Sequence, residues 1–180
     1  MCIRDRILSV QTNLALAAAA CKYLAFRDKW SLSGKSIISA GQDFSLPGRF
    51  EVRPLAGKIV IFDGAHNTQK VQMLAQNMAT KYPNEKFNIL FASSKSRSPK
   101  MMFEILGPIA KRFYLTSYSA FEGDSLRGSI DFSEYDGNPE SSIVVEDSVS
   151  AIKLINESID NWLVTGSFFL VSDVGSVLKE

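Results

Sequence analysis

The sequence is poor in the residues that form disulfides and metal sites, with two cysteines and a single histidine among 180 residues. Cys2 and Cys21 suggest no disulfide framework, so we expect a reduced, cytoplasmic setting. Cysteine and histidine form no cluster of metal-ligand spacing, and we predict no metal ligand in this chain. A glycine-rich phosphate loop of the Walker type and a dinucleotide-binding fingerprint are also missing.

The sequence also lacks an excess of charge of either sign. Lys and Arg total 20, Asp and Glu total 19, and the net charge of +1 gives no electrostatic argument for nucleic acid or membrane binding. An alanine-rich run over residues 14–21 follows Arg4 and Arg6 and superficially resembles a secretory signal. This run is too short to span a bilayer. We interpret it as a helix of a folded domain, and a signal peptide is the alternative.

The N-terminal part of the sequence predicts one helix and a loop. Alanine and leucine dominate residues 7–27, which favours a helix that Thr12 or Asn13 could cap. Residues 28–44 are polar and rich in serine and glycine, which is typical of a loop. One helix and a loop do not make a core, so we expect either the end of a domain whose body is absent or an extended arm.

Apolar runs alternate with amphipathic segments through the rest of the chain. This pattern predicts strands near 59–62, 87–92, 113–116, 143–145 and 162–164, and helices over 68–81, 99–110, 148–159 and from 168. Strands that alternate with helices predict an α/β fold with a three-layer, Rossmann-like and mostly parallel sheet.

The segment Asp63–Asn67 (DGAHN) follows the first of these strands. Ligands of open α/β sheets lie beyond the carboxyl ends of strands, where helix N-termini favour anions. Asn67 can cap a helix that starts at Thr68, and His66 with Asp63 could act as an acid–base pair. The alternative is that these side chains only cap the helix and order the turn.

Three further positions can each be interpreted either as binding a ligand or as having only a structural or solvent-exposed role. Arg49 follows the turn residues Pro47-Gly48 and either binds phosphate or is a solvated arginine. The loop 93–98, which contains Lys95, is basic and hydroxyl-rich and suits either an anion or solvent. Ser167 either caps the helix that follows it or presents its hydroxyl to a carboxylate or phosphate.

Three segments in order resemble the folylpolyglutamate synthase/dihydrofolate synthase family, which belongs with the Mur ligases. They are Leu46–Glu51 (LPGRFE), Asp63–Asn67 (DGAHN) and Leu163–Ser167 (LVTGS). The helix segment Asn13–Ala17 resembles the last helix of that family's central ATPase domain. The resemblance covers nearly the whole chain from about Val10 and corresponds to the C-terminal half of the family.

The resemblance implies a domain division and an activity. Residues 1–46 would be the tail of the central ATPase domain with a linker, and residues 47–180 a Mur ligase-type C-terminal domain. The implied reaction joins L-glutamate to a folate or dihydropteroate through an acyl phosphate made from ATP. Mg²⁺ ligands and the phosphate loop would lie in the missing ATPase domain, so we expect this chain to be inactive alone.

The resemblance also implies roles for the candidate residues. Arg49 would contact ATP phosphate, and Asp63 would bind the ribose hydroxyls. His66, the catalytic candidate, and Asn67, a nucleotide-binding candidate, would line the site between the domains. Ser167 would help to hold the incoming glutamate.

The sequence departs from the family in two places. Where the family commonly has Asp-Lys-Asp, this chain has Ser94-Lys95-Ser96, which keeps the lysine as a substrate-binding candidate but loses both carboxylates. Met1–Arg6 do not resemble the family. Two alternatives remain: a non-catalytic partner or binding module of the same fold, and the C-terminal domain of a peptidoglycan Mur ligase.

Overall fold

The computed structural model describes residues 8–42, 46–118 and 128–178. The chain divides into two compact units, Met1–Ser45 and Leu46–Glu180. The prediction made for Met1–Arg6 lies outside the described residues. The interpretation of the first unit as the tail of an ATPase domain stays a prediction.

Within residues 8–42, the first unit contains two helices, α1 (Leu8–Asp28) and α2 (Gly34–Gln42). The prediction of a loop over residues 28–44 was wrong, because α2 forms within it. The hydroxyl Oγ of Ser33 accepts the backbone N–H of Ser36 at 3.0 Å, which supplies one of the partners that the start of a helix lacks.

The predicted cap of α1 was also wrong. Thr12 and Asn13 lie inside this helix and not at its start. Leu16, Tyr23 and Phe26 on α1 are exposed. No helix in the described ranges is both long and apolar enough to cross a membrane.

The second unit is a six-stranded sheet flanked by helices, which confirms the predicted α/β fold. Its strands are β1 (Glu51–Leu55), β2 (Lys58–Phe62), β3 (Phe87–Phe91), β4 (Ala110–Leu115), β5 (Ile143–Val144) and β6 (Trp162–Thr165). Its helices are α3 (Thr68–Lys81), α4 (Lys100–Leu106), α5 (Ser148–Glu157) and α6 (Phe168–Val177). The strand order is β1-β2-β6-β3-β4-β5, and all neighbours are parallel except β1 and β2.

The sequence analysis missed β1, which pairs antiparallel with β2 in a register that places Val52 opposite Ile61. This strand has no apolar run, and Pro54 argues against a strand inside a sheet. The structure places β1 at the edge of the sheet, where a proline needs no ladder partner on its outer side. The predicted helix over 99–110 is also shorter, because Gly107–Ile109 form a 3₁₀ turn after α4.

Alternate residues of the central strands face opposite layers of helices. Val60, Leu90 and Val164 pack with α5 and α6 in one core cluster. Their neighbours Ile61 and Leu163 are fully buried outside that cluster, and strand geometry points them to the opposite face. Because β6 lies between β2 and β3, the turns that follow these three strands meet at one edge of the sheet.

Candidate functional site

Backbone hydrogen bonds join three of the predicted segments at this edge. The N–H of Gly64 donates to the carbonyl of Gly48 at 2.8 Å, which links the turn before β1 to the turn after β2. The N–H of Gly166 donates to the carbonyl of Ala65 at 2.9 Å, which links the turn after β6 to the same segment. The structure therefore brings Arg49, the segment 63–67 and Ser167 into one cluster of turns.

Gly166 has to be glycine for two reasons. Its φ of +95° lies in the region that L side chains avoid, and a Cβ on it would lie 2.2 Å from the carbonyl oxygen of Ala92. This close approach lets the turn after β6 pass directly over the end of β3. The backbone just before Ser167 is thereby fixed.

Asp63 holds two of the turns together. One carboxylate oxygen accepts the N–H of Phe50 and the other accepts the N–H of Ala65, both at 2.8 Å. Burial raises the pKa of Asp63, while these two N–H groups and the charges of Arg49 and Lys70 act in the opposite direction. Each oxygen keeps a lone pair, so a ligand hydroxyl can still bind without displacing the turn.

Phe168, the first residue of α6, packs against both Arg49 and His66. The guanidinium carbon of Arg49 lies 4.3 Å from the centroid of the Phe168 ring. The ring of His66 meets it edge-on, with centroids 5.6 Å apart. A Cβ on Gly64 would lie 2.2 Å from the same ring, so the glycine makes room for the aromatic side chain.

His66 is half-buried and has a partner on each ring nitrogen. Nδ1 lies 2.6 Å from the carbonyl oxygen of Gly64, and Nε2 lies 3.1 Å from Nζ of Lys70. Burial lowers the pKa of His66, and the positive charges of Lys70, Arg97 and Arg49 lower it further, while the Gly64 carbonyl opposes them. Neutral imidazole is therefore the favoured form.

Asn67 and Ser167 both cap helices, as the sequence predicted. Oδ1 of Asn67 accepts the N–H of Lys70 at 2.9 Å, and Oγ of Ser167 accepts the N–H of Phe169 at 3.2 Å. The Ser167 hydroxyl also bonds the side chain of Tyr118. Two helix N-termini, of α3 and α6, thus open onto the same edge of the sheet, where their unpaired N–H groups favour an anion.

Lys95 lies on the loop after β3, and its side chain is exposed. Its N–H donates to the carbonyl of Gly128 at 2.9 Å, and its charge acts on Asp131. Arg97, two residues further on, is the cation of this loop whose charge acts on His66 and Tyr118. The charge of Arg97 therefore reaches the cluster, and Lys95 forms no side-chain hydrogen bond or salt bridge within the described ranges.

Sequence analysis missed three residues of the cluster: Lys70, Arg97 and Phe168. Lys70 lies in the first turn of α3, only four residues after His66, and this short spacing could have been used as a signal. Arg97 and Phe168 reach the cluster only through tertiary packing, and no local pattern marks them.

The described part of the chain offers no group of three or more His, Cys, Asp or Glu side chains that could hold a metal ion. Asp63 supplies one carboxylate to this cluster, and a divalent cation such as Mg²⁺ or Ca²⁺ takes six or more oxygen ligands. These residues do not fit a complete divalent-cation site.

Comparisons with known proteins find relatives of this chain. Dihydrofolate synthase/folylpolyglutamate synthase of Bacillus subtilis (strain 168) is 27% identical over 170 residues, which are 93% of this chain and 38% of that protein. The structure of E. coli FolC in complex with DHPP and ADP superposes with a TM-score of 0.75 at 21% identity, covering 93% of this chain and 38% of that one.

A third relative was solved with nucleotide and metal. It is the bifunctional folylpolyglutamate synthase/dihydrofolate synthase of Yersinia pestis complexed with AMPPNP and Mn ion, with a TM-score of 0.69, 21% identity, and coverage of 81% of this chain and 34% of that one. At these identities the two structures show a shared fold. The chain spans just over a third of the length of each relative.

Residues 48–168, more than half of the chain, match the family described as Mur ligase, glutamate ligase domain. This match contains the Gly48 turn, β1 to β6 and the turn that ends at Phe168. The chain therefore belongs to the Mur ligase family and carries its glutamate ligase domain.

Proposed function

We propose that this chain is the C-terminal nucleotide- and glutamate-binding part of an ATP-dependent ligase that adds L-glutamate to folates. The observation that carries the proposal is the cluster in which Arg49, Asp63–Asn67 and Ser167 meet at the carboxyl edge of the sheet. The Bacillus relative, whose name gives both folate activities, supports the substrate class.

The roles proposed for the residues follow from their positions. Arg49, held against Phe168, presents a planar guanidinium that suits a phosphate oxygen. The free lone pairs of Asp63 can accept the ribose hydroxyls of the nucleotide. Asn67 begins α3 beside them and keeps its amide N–H₂ for the nucleotide.

The amino acid side of the site would lie at the turn after β6. Ser167 and the N-terminus of α6 offer a hydroxyl and backbone N–H groups to a carboxylate of L-glutamate. Lys95 and Arg97, on the neighbouring loop after β3, add positive charge for the second carboxylate. His66, neutral near pH 7, can accept the proton that the glutamate amine loses.

The divalent ion expected for this chemistry would supply charge neutralisation on the transferred phosphate. Because the described residues offer no cluster of ligands for it, we assign Mg²⁺ to the part of the relatives that this chain does not span. The phosphate loop belongs there as well, so we expect the isolated chain to form no ADP.

A chimera tests this function. The aligned segment of the Bacillus relative is replaced by this chain, and ADP release is measured with ATP, L-glutamate and either dihydropteroate or a folate. We expect ADP release that requires both the pterin-linked acid and L-glutamate. A folded chimera that forms no ADP with either acceptor would contradict the proposal and favour a non-catalytic binding module.

The same chimera separates the folate branch from the peptidoglycan branch of the family. ADP release with a muramyl precursor, and none with dihydropteroate or folate, would assign the chain to a peptidoglycan Mur ligase. The chimera carrying Lys153→Gln, an exposed lysine on α5 away from the cluster, is the matched control.

A further inference from the structure

The two partners of His66 fix its tautomer. A carbonyl oxygen only accepts hydrogen bonds, so Nδ1, at 2.6 Å from the Gly64 oxygen, carries the proton. An ammonium group only donates, so Nε2, at 3.1 Å from Lys70 Nζ, must offer its lone pair. The nitrogen that could take a proton from a substrate is therefore covered by Lys70.

The charges that act on His66 all have the same sign. They come from three different elements: Lys70 on α3, Arg97 on the loop after β3, and Arg49 on the turn before β1. The carboxylate of Asp63, at the end of β2, accepts two backbone N–H groups, and the charges of Arg49 and Lys70 act on it.

Within the part of the chain that the structure describes, these cations also take no part in a salt bridge. Arg53 and Lys111 each form a salt bridge with a carboxylate, at 2.7 Å in both cases. Within the described ranges, Arg49, Lys70 and Arg97 form none. Three cations that form no salt bridge and whose charges act on one neutral imidazole favour an anion at this position.

We propose that Lys70 is a positioning residue that covers Nε2 of His66 until a phosphate-bearing anion binds, draws the ammonium away and leaves Nε2 free to accept a proton. The driving force is the stronger attraction of an ammonium for a phosphate oxygen than for a neutral imidazole nitrogen. The geometry allows this exchange because the Lys70 side chain is exposed, while His66 stays anchored through Nδ1 and against Phe168.

The consequence for catalysis rests on the proposed function. The neutral amine of L-glutamate attacks the carbonyl carbon of the acyl phosphate, and a C–N bond forms. The C–O bond to phosphate breaks, and its electron pair leaves with the phosphate. The proton released from the amine nitrogen passes to Nε2 of His66, which gives it up to phosphate or solvent. His66 can thus act as a base only when a phosphate group is bound and has drawn Lys70 away from Nε2.

The inference is testable on the 180-residue chain itself, because His66 is its only histidine. With ¹⁵N-labelled histidine, long-range ¹H–¹⁵N NMR spectra report the tautomer and the titration of this one residue. Inorganic tripolyphosphate serves as the probe anion. We expect the Nδ1–H tautomer without the anion, and a change in the Nε2 resonance with an upward shift of the His66 titration when the anion binds.

The variants separate the proposal from a general charge effect. In Lys70→Gln, we expect the anion-free titration of His66 to move up and the response to the anion to shrink by at least about threefold. Lys70→Arg should restore most of the wild-type spectrum, and Lys153→Gln should leave it unchanged. Each variant keeps the backbone N–H that Asn67 accepts, so the start of α3 is preserved.

Two results would overturn the inference. One is a His66 spectrum that does not change at saturating tripolyphosphate, and the other is a Lys70→Gln variant that responds like the wild-type chain. Neither result depends on glutamate ligation, so the inference fails separately from the proposed function, which the activity of the chimera decides.

Discussion

The ring of Phe168 covers Gly64 so closely that a methyl group on the glycine would lie 2.2 Å from a ring carbon. Gly64→Ala should therefore destabilise the chain, because the Phe168 ring has to move and both Arg49 and His66 pack against this ring. Overpacking of this kind costs about 1–3 kcal/mol. Urea unfolding followed by circular dichroism measures the loss.

A double-mutant cycle isolates the cause of this loss. In the Phe168→Ala background, Gly64→Ala should cost much less, so the two changes should be coupled by about 1 kcal/mol or more. Gly107→Ala is the matched control, because apart from its chain neighbours and local helix backbone no atom lies within 4 Å of its added Cβ. Additive losses in the cycle would show that Phe168 does not set the identity of residue 64.

Asp63→Asn should loosen the two turns that Asp63 joins. An asparagine keeps one acceptor oxygen and turns an N–H₂ group toward the other backbone donor, Phe50 or Ala65. A buried donor left without its acceptor costs about 1–3 kcal/mol. Urea unfolding at neutral pH measures the effect, and an unchanged midpoint would contradict it.

The same variant should change how stability depends on pH. Burial raises the pKa of Asp63, so the folded chain binds this proton more tightly than the unfolded chain does. This difference in proton binding stabilises the folded chain at pH values below the pKa of Asp63 in the unfolded chain. The stabilisation is lost as the pH rises through the pKa of Asp63 in the folded chain. The stability of the wild type minus that of Asp63→Asn should therefore fall as the pH rises across that window, and a rise would contradict the assignment.

Ser167→Ala should have two separable effects. Loss of the cap that accepts the Phe169 N–H should cost about 0.5–2 kcal/mol in unfolding. In the chimera, the KM for L-glutamate should also rise several-fold. Asp147→Ala is the matched control, since Asp147 caps α5 in the same way through Ser150. Asp147→Ala should lose similar stability and leave the KM for L-glutamate unchanged. An equal KM in both variants would show that Ser167 only caps α6 and does not bind glutamate.

Arg53→Lys should destabilise the edge of the sheet. Arg53 donates to the carbonyls of Gly175 and Leu178 at 2.6 and 2.9 Å, and its Nε donates to Glu51 at 2.7 Å. A lysine cannot keep this fork, and we expect a loss of about 1–3 kcal/mol. Arg112→Lys, at an exposed position of β4, is the control and should be neutral by thermal unfolding.

The sequence predicted the elements whose signal is local. Continuous apolar runs such as Ile59–Phe62 and Trp162–Val164 are typical of strands buried on both faces, and they lie at the centre of the sheet. It failed for β1, where Pro54 and alternating charge are compatible only with an edge position. It failed for α2 because serine and glycine are weak helix formers, and a cap from Ser33 compensates.

For the candidate site, too, only the features with a local signal in the sequence could be predicted. Asn67 and Ser167 could be placed because a cap lies next to its helix in the chain. Phe168 and Arg97 could not, because the ring contact of Phe168 with Arg49 and the effect of the Arg97 charge on His66 join residues far apart in sequence. The bond between Asp63 and the N–H of Phe50 was unpredictable for the same reason, since it joins residues thirteen positions apart.

The central place of β6 has a consequence for synthesis on the ribosome. Until residues Trp162–Thr165 emerge, β2 and β3 have no neighbour between them, and each exposes an unpaired apolar edge. Such edges are prone to aggregation. A nascent chain that stalls before Trp162 therefore leaves both edges open, and the sheet closes only after β6 has left the ribosome.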